Sequence, residues 1–177
     1  MLRLLILSVS AFLLTAGCSS AQPKLPLPDA KAVKVNHTFA MSNGVAVTIN
    51  APASKVWDIL TNAADYANWN STVVYIKGNI RYDEEIVLKA KIAPEREFEI
   101  EVSTFEKPSK MVWEDGNFMF RGVRTFTLTA VEPNKTRFRM VEEFSGLMLP
   151  MIKGSLPDFG PAFEQFALDL KKKAESP

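Results

Sequence analysis

The stretch Val45-Ala46-Val47-Thr48-Ile49-Asn50-Ala51-Pro52-Ala53-Ser54-Lys55-Val56-Trp57-Asp58-Ile59-Leu60-Thr61 changes its period halfway along. Val45, Val47 and Ile49 alternate with Ala46, Thr48 and Asn50, the pattern of a half-buried strand. Ala51-Pro52 ends that alternation. Proline suits the first turn of a helix, where its missing N–H would have had no partner. Val56, Ile59 and Leu60 then recur at helical spacing, which predicts a helix over 52–60. Asn62 is placed to cap a second short helix running to about Ala67, just before Trp69.

From Thr72 the rhythm returns to a period of two, and strands are predicted over 73–79, 85–92, 96–105, 110–114, 122–131 and 136–144. The clearest has Phe98, Ile100 and Val102 alternating with Glu97, Glu99 and Glu101, one face apolar and the other carboxylate. That is an antiparallel sheet with one wet side. Lys107-Pro108-Ser109-Lys110 and Glu132-Pro133-Asn134-Lys135 are connections of hairpin length and turn chemistry. Phe159, Phe163, Phe166 and Leu170 then fall on one stripe of a C-terminal helix, with Lys171, Lys172 and Lys173 at the end where positive charge complements the dipole. Pro161 lacks an N–H for the carbonyl of Pro157, so a separate first turn or a kink is expected before Ala162. The expected class is α+β: seven antiparallel strands as an up-and-down meander, two short helices after the first, and a long helix last.

The N-terminus has a different composition. A basic start at Arg3 and an apolar run from Leu4 to Leu14 lead to Ala16-Gly17-Cys18, the layout of a secretory signal and too short for a span. Cys18 is the only cysteine among the 177 residues. A cysteine directly after Ala-Gly resembles the lipobox of bacterial lipoproteins, which implies cleavage before Cys18 and its lipidation. The expected organisation is a signal peptide over 1–17, a lipidated, proline-rich tether over 18–36 and a folded domain over 37–177. In extended form the tether would reach up to ~50 Å from a bilayer. Ser19 after the cysteine suggests the periplasmic face of the outer membrane if the source is Gram-negative. Loss of Arg3 from 21 basic residues leaves 20 against 20 acidic ones, a balance that offers no field for nucleic acid. A single histidine, His37, and no usable cysteine remove multi-histidine metal sites, zinc fingers and His-based triads. No phosphate-binding glycine loop occurs, and no metal or cofactor is implied.

The order of elements resembles the helix-grip fold of the START-like superfamily, also called SRPBCC or polyketide cyclase/dehydrase. Two stretches carry the likeness: 49–61 with Tyr66, Trp69 and Asn70, and Thr136-Arg137-Phe138 through Glu142-Glu143-Phe144-Ser145-Gly146-Leu147-Met148-Leu149-Pro150 into the last helix. The resemblance implies a curved sheet around the C-terminal helix with an apolar cavity between them. Strand parity then assigns Phe98, Ile100, Val102, Met111, Trp113, Phe126, Leu128, Phe138 and Met140 to the walls, and Phe159, Phe163 and Phe166 to the lid. The same residues also describe an ordinary filled core.

Among polar residues, Glu142 shares parity with Phe138, Met140 and Phe144, which points its carboxylate inward, where it needs a partner or a raised pKa. Glu142 and Tyr66 are the candidates for catalysis. Arg96, Arg121 and Arg124 are candidates for an acidic headgroup at the mouth, or solvated strand ends. Trp69 reads as a packing anchor, Met119 and Phe120 as a gate, and Asp83-Glu84-Glu85 as a charged turn. Three functions follow: a lipid-anchored binding protein for a hydrophobic small molecule (a lipid, isoprenoid or polycyclic compound); a cyclase, dehydratase or isomerase using Glu142; or an envelope interaction protein with a filled core. The missing catalytic set favours the first. Protein partners are not specified by the sequence.

Overall fold

The computed structural model describes residues 27–177. Eight antiparallel strands form one sheet: β1 (Val33–Asn36), β2 (Ala40–Ile49), β3 (Val73–Lys77), β4 (Glu85–Ala90), β5 (Phe98–Glu106), β6 (Lys110–Gly116), β7 (Arg121–Glu132) and β8 (Lys135–Ser145). Their order is β1-β2-β8-β7-β6-β5-β4-β3, so β3 to β8 run as a meander and β8 closes back on β2. Two short helices, α1 (Ala53–Thr61) and α2 (Tyr66–Trp69), separate β2 from β3. A four-residue helix, α3 (Leu149–Ile152), precedes the long α4 (Gly160–Glu175).

The sheet has eight strands and not the expected seven, because the eighth lies in the segment read as tether. Val33–Asn36 pairs with the outer edge of β2, Val33 opposite Gly44 and Asn36 opposite Met41. The chain before it is fastened too. Asp29 accepts the Thr48 N–H at 2.9 Å and pairs with Arg137, whose guanidinium also donates to the Leu27 carbonyl at 2.9 Å. The Leu27 side chain lies on Gly44, so close that a Cβ there would be 3.1 Å from it. Residues 27–36 are therefore part of the domain. Prolines set the conformation of this segment, but they do not prevent an edge strand from pairing through the donors that remain.

At the other end of the chain, α4 begins at Gly160 with Pro161 in its first turn and no break before Ala162. The first turn has no intrahelical use for the N–H that proline lacks, so the expected kink does not arise. Asn62 opens a 3-10 turn, Ala63–Asp65, without a side-chain capping bond, and α2 follows it at Tyr66. Phe98, Ile100 and Val102 face inward and their glutamate neighbours outward, as the alternation requires. A register shift between Val102 and Thr104 then brings Phe105 inward, 5.0 Å from the Trp57 ring. The main core gathers the inner face of the sheet, α1, α2 and the buried stripe of α4: Phe163, Phe166, Ala167, Leu170 and Ala174.

Candidate functional site

Between the sheet and the N-terminal half of α4 lies a partly open cavity of about 180 Å3. Its floor comes from β5, β6, β7 and β8 through Phe98, Ile100, Trp113, Gly122, Met140 and Phe144. Leu88 and Ala90 of β4 and the connection at Ile92 and Ala93 form one side, and Phe159, Ala162, Phe163 and Phe166 form the roof. Leu156 and Pro157, just before α4, reach its rim. A depression of about 470 Å3 adjoins it, sharing Arg96, Phe98, Asp115 and Phe120 and extending to Met119 and Met148.

The polar groups of this cavity sit together. Arg124 and Glu142 are cross-strand neighbours on β7 and β8, and the Arg124 Nε donates to Glu142 Oε2 at 2.9 Å. A second guanidinium nitrogen donates to the same oxygen, and the guanidinium carbon lies 5.4 Å from the Phe163 ring centre. The buried carboxylate thus has a partner that stays charged, which offsets the cost of removing it from water. Asp115, opposite Gly122, also lines the cavity. Burial raises its carboxyl above the ordinary 3.8, the Glu142 charge adds to the rise, and Arg124, Arg96 and the Gly122 N–H partly oppose it. Gly122 leaves room for it: a Cβ there would lie 2.3 Å from Asp115 Oδ1. Glu114 differs. Burial alone would raise its carboxyl, but the Ser103 hydroxyl at 2.7 Å and the pairing with Arg121 hold it below the usual value.

Of the residues assigned to the cavity by parity, Phe98, Ile100, Trp113, Met140, Glu142, Phe159, Phe163 and Phe166 line it. Val102, Met111, Phe126, Leu128 and Phe138 do not. They belong to the filled core at the other end of the sheet, where α1 and α2 insert Trp57, Leu60 and Tyr66 against them. Tyr66 is fully buried there, and its hydroxyl donates to the Leu60 carbonyl at 2.7 Å, outside the cavity. Burial raises its pKa far above the ordinary value. The hydroxyl is a structural donor and is not available as a proton-transfer group. Trp69 packs on Tyr66 and Phe166 with ring centres at 4.8 and 5.7 Å, an anchor for that turn. Arg124, read as a possible strand-end charge, is an inward residue, and Arg96 stands at the mouth over the Phe98 ring at 4.7 Å. Arg121 is bound to Glu114 outside the main ion pair. Phe120 lines the cavity and Met119 the adjoining depression.

Asp115, Gly122, Leu156 and Pro157 were not assigned to the site from sequence. Parity marks the first two, since Asp115 continues Met111 and Trp113, and Gly122 continues Arg124 and Phe126. Charge and small size hid them. Cys18 and the leader lie outside the described residues. Among the described residues, no group of three His, Cys, Asp or Glu side chains could hold a metal ion.

A curved antiparallel sheet gripping a C-terminal helix, with a cavity between them, defines the helix-grip class. Residues 37–175 match the family described as polyketide cyclase/dehydrase and lipid transport, and the chain belongs to that family. Solved structures agree on the fold. A START superfamily protein from Mycobacterium smegmatis is 16% identical with a TM-score of 0.58, over 76% of this chain and 97% of that one. A conserved protein of unknown function from Enterococcus faecalis is 16% identical with a TM-score of 0.60, over 83% and 78%. The Zhui aromatase/cyclase from Streptomyces sp. R1128 is 11% identical with a TM-score of 0.59, over 77% and 94%. No curated protein matches the chain.

Proposed function

We propose that the chain is a lipid-anchored extracytoplasmic binding protein that holds a hydrophobic small molecule between its sheet and α4 and does no chemistry on it. The supporting observation is the apolar cavity of about 180 Å3, whose buried carboxylate is already bound to Arg124. An arginine neither gives nor takes a proton at ordinary pH, so this pair orients and neutralises; it does not act as an acid–base couple. The volume sets the ligand's scale. It slightly exceeds the roughly 150 Å3 of an apolar cavity that admits benzene. One ring or a short branched segment fits inside, and any larger or polar part extends past Arg96 into the adjoining depression.

Lipidation at Cys18 supplies the anchor in this reading, and a Cys18→Ser variant should leave the membrane fraction. Persistent attachment of that variant would remove the lipoprotein part of the proposal. The ligand is tested by native mass spectrometry of the chain purified from its own envelope, followed by solvent extraction. A discrete apolar compound at unit stoichiometry is the expected result. An empty protein that takes up no lipid, quinone or polycyclic compound would end the carrier reading in favour of an envelope interaction protein.

One observation favours a second reading, a cyclase, dehydratase or isomerase. Asp115 lines the cavity with a raised pKa beside Glu142, so it could hold a proton to donate. Compounds extracted from wild type and from Asp115→Asn decide the matter when identified by mass spectrometry and NMR. A carrier yields the same molecule from both, whereas an enzyme yields different ones.

A further inference from the structure

The end of the molecule at the cavity mouth carries side chains unlike those of the wet face of the sheet. Three connections meet there: β1 to β2 at Phe39, β6 to β7 at Phe118, and β8 to α4 from Leu147 to Met151. Phe118 is 77% exposed and Met151 84%, with Phe39, Leu147 and Met148 also exposed. The connections are tied to one another. The Gly146 N–H donates to the Phe39 carbonyl at 3.3 Å, the Met148 N–H to the Met119 carbonyl at 3.0 Å, and the Lys153 ammonium to the His37 carbonyl at 3.1 Å. Gly146, at φ 130°, sits so near the β6–β7 hairpin that a Cβ would lie 2.3 Å from the Met119 carbonyl oxygen.

A second, separate hydrophobic cluster stands beneath this tip: Met41, Phe144 and Leu149, with Phe120, Leu156 and Phe159 packed on it. The exposed groups are therefore mounted on a packed base and are not the loose ends of loops. Phe120, Phe144, Leu156 and Phe159 also line the cavity, so the tip and the cavity form one apolar surface. The charge pattern agrees. Residues 37–41, 116–121 and 146–156 contain no aspartate or glutamate; of their two formal charges Arg121 is paired with Glu114, which leaves Lys153 as the basic group of the tip. Carboxylates begin at the depression beside the tip, where Glu97, Glu99 and Asp115 face Met119 and Met148, and continue along the outer face of β5 at Glu101.

We propose that this tip is a membrane-contact surface, with Phe118, Leu147, Met148 and Met151 entering the headgroup–acyl boundary of a bilayer containing anionic lipid. Exposed aromatic, leucine and methionine side chains suit that boundary through their apolar area, and the Lys153 ammonium adds one basic group able to meet an anionic headgroup. A patch of this kind on an otherwise charged domain marks an interaction site. Its continuity with the cavity selects lipid as the occupant, since an apolar molecule leaving the bilayer would then reach the interior without crossing water. The contact itself stands on the exposed side chains; its role in loading rests on the carrier reading.

The test places a tryptophan at the tip of the full chain on vesicles of phosphatidylethanolamine and phosphatidylglycerol with brominated acyl chains. Phe118→Trp and Met151→Trp report on the tip. Val131→Trp reports on the far end of β7, about 33 Å from Arg121 at strand rise. Trp57, Trp69 and Trp113 are buried and give a constant background. Quenching of the introduced indole should be several-fold stronger at either tip position than at position 131. Equal quenching at all three, as for a domain tumbling on its tether, overturns the proposal. So does the absence of quenching above the wild-type background, the result for a tip that docks a protein. Native mass spectrometry judges the ligand separately, so tip quenching by an empty protein would end the carrier reading and leave the contact surface standing.

Discussion

The two ends of the α4–sheet interior are built on the same stripe and the same strands, yet one is solid and the other hollow. Phe166 is the partition. Its ring meets Tyr66, Trp69, Phe126 and Phe138 on one side, at centre distances from 5.7 to 6.3 Å, and lines the cavity on the other. On the solid side α1 and α2 press Trp57, Leu60 and Tyr66 between sheet and helix. On the hollow side no helix intrudes, and the Arg124–Glu142 pair occupies positions that apolar side chains would otherwise fill. Charged side chains held in a fixed pair cannot collapse into the space beside them as methylenes can. The contrast shows that what keeps a helix-grip interior open is local: a plug missing at one end and a braced ion pair in its place.

The largest effect expected is on the solid side. Phe138→Ala should cost about 3–5 kcal/mol, because nothing nearby can move into the gap, while Phe159→Ala at the half-buried roof should cost far less. Chemical denaturation of the two variants measures this, and equal losses would break the distinction. Next is the brace. Arg124→Met leaves Glu142 buried without a partner and should cost about 3 kcal/mol, a loss that Arg124→Met combined with Glu142→Met largely recovers. If the double variant is as unstable as the single one, the pair is not what supports the opening.

A tryptophan inserted on each side sharpens the comparison further. Leu128→Trp overpacks a filled region and should cost about 1–3 kcal/mol, whereas Ile100→Trp grows into the cavity at little cost and should abolish ligand uptake. Uptake by the Ile100 variant equal to that of wild type would show that the ligand binds elsewhere. The smallest effect concerns pH. The native Asp115 carboxyl has a raised pKa, chiefly through burial, so its ionisation opposes folding as pH rises through that value. Asp115→Asn should therefore raise the melting temperature by a few degrees near neutrality, and the gain should vanish below about pH 3.8, where the carboxyl is protonated folded or unfolded. A gain independent of pH would assign it to packing.

Much of the fold is written in periodicity. The β5 alternation and the α4 phenylalanines carry it because each side chain faces one way on a regular element. Parity also gives the inner face of the sheet, which is why Glu142, Met140 and Trp113 could be placed there. It does not give position along the helix, so it could not divide Ile100 at the cavity from Val102 and Leu128 in the filled core. That division depends on where α1 and α2 come to rest, a matter of tertiary packing. Arg124 and Asp115 had the same parity signal as their apolar neighbours, outweighed by the default that charges face water. The β1 strand was hidden by composition: Val33-Lys34-Val35-Asn36 is too short an alternation to stand out beside the prolines that precede it.

The clasp made by residues 27–36 has a mechanical consequence. Any pull arriving through the chain before Leu27 is met first by the Leu27 carbonyl on Arg137, next by Asp29 on Thr48 and Arg137, and then by the four pairs of β1 at the rim of the sheet. An edge strand can be peeled pair by pair, while the ten pairs that join β2 to β8 lie behind it and stay closed. The order of failure is thus built in. A short outer seam gives way under load before the strands that shape the cavity feel any tension.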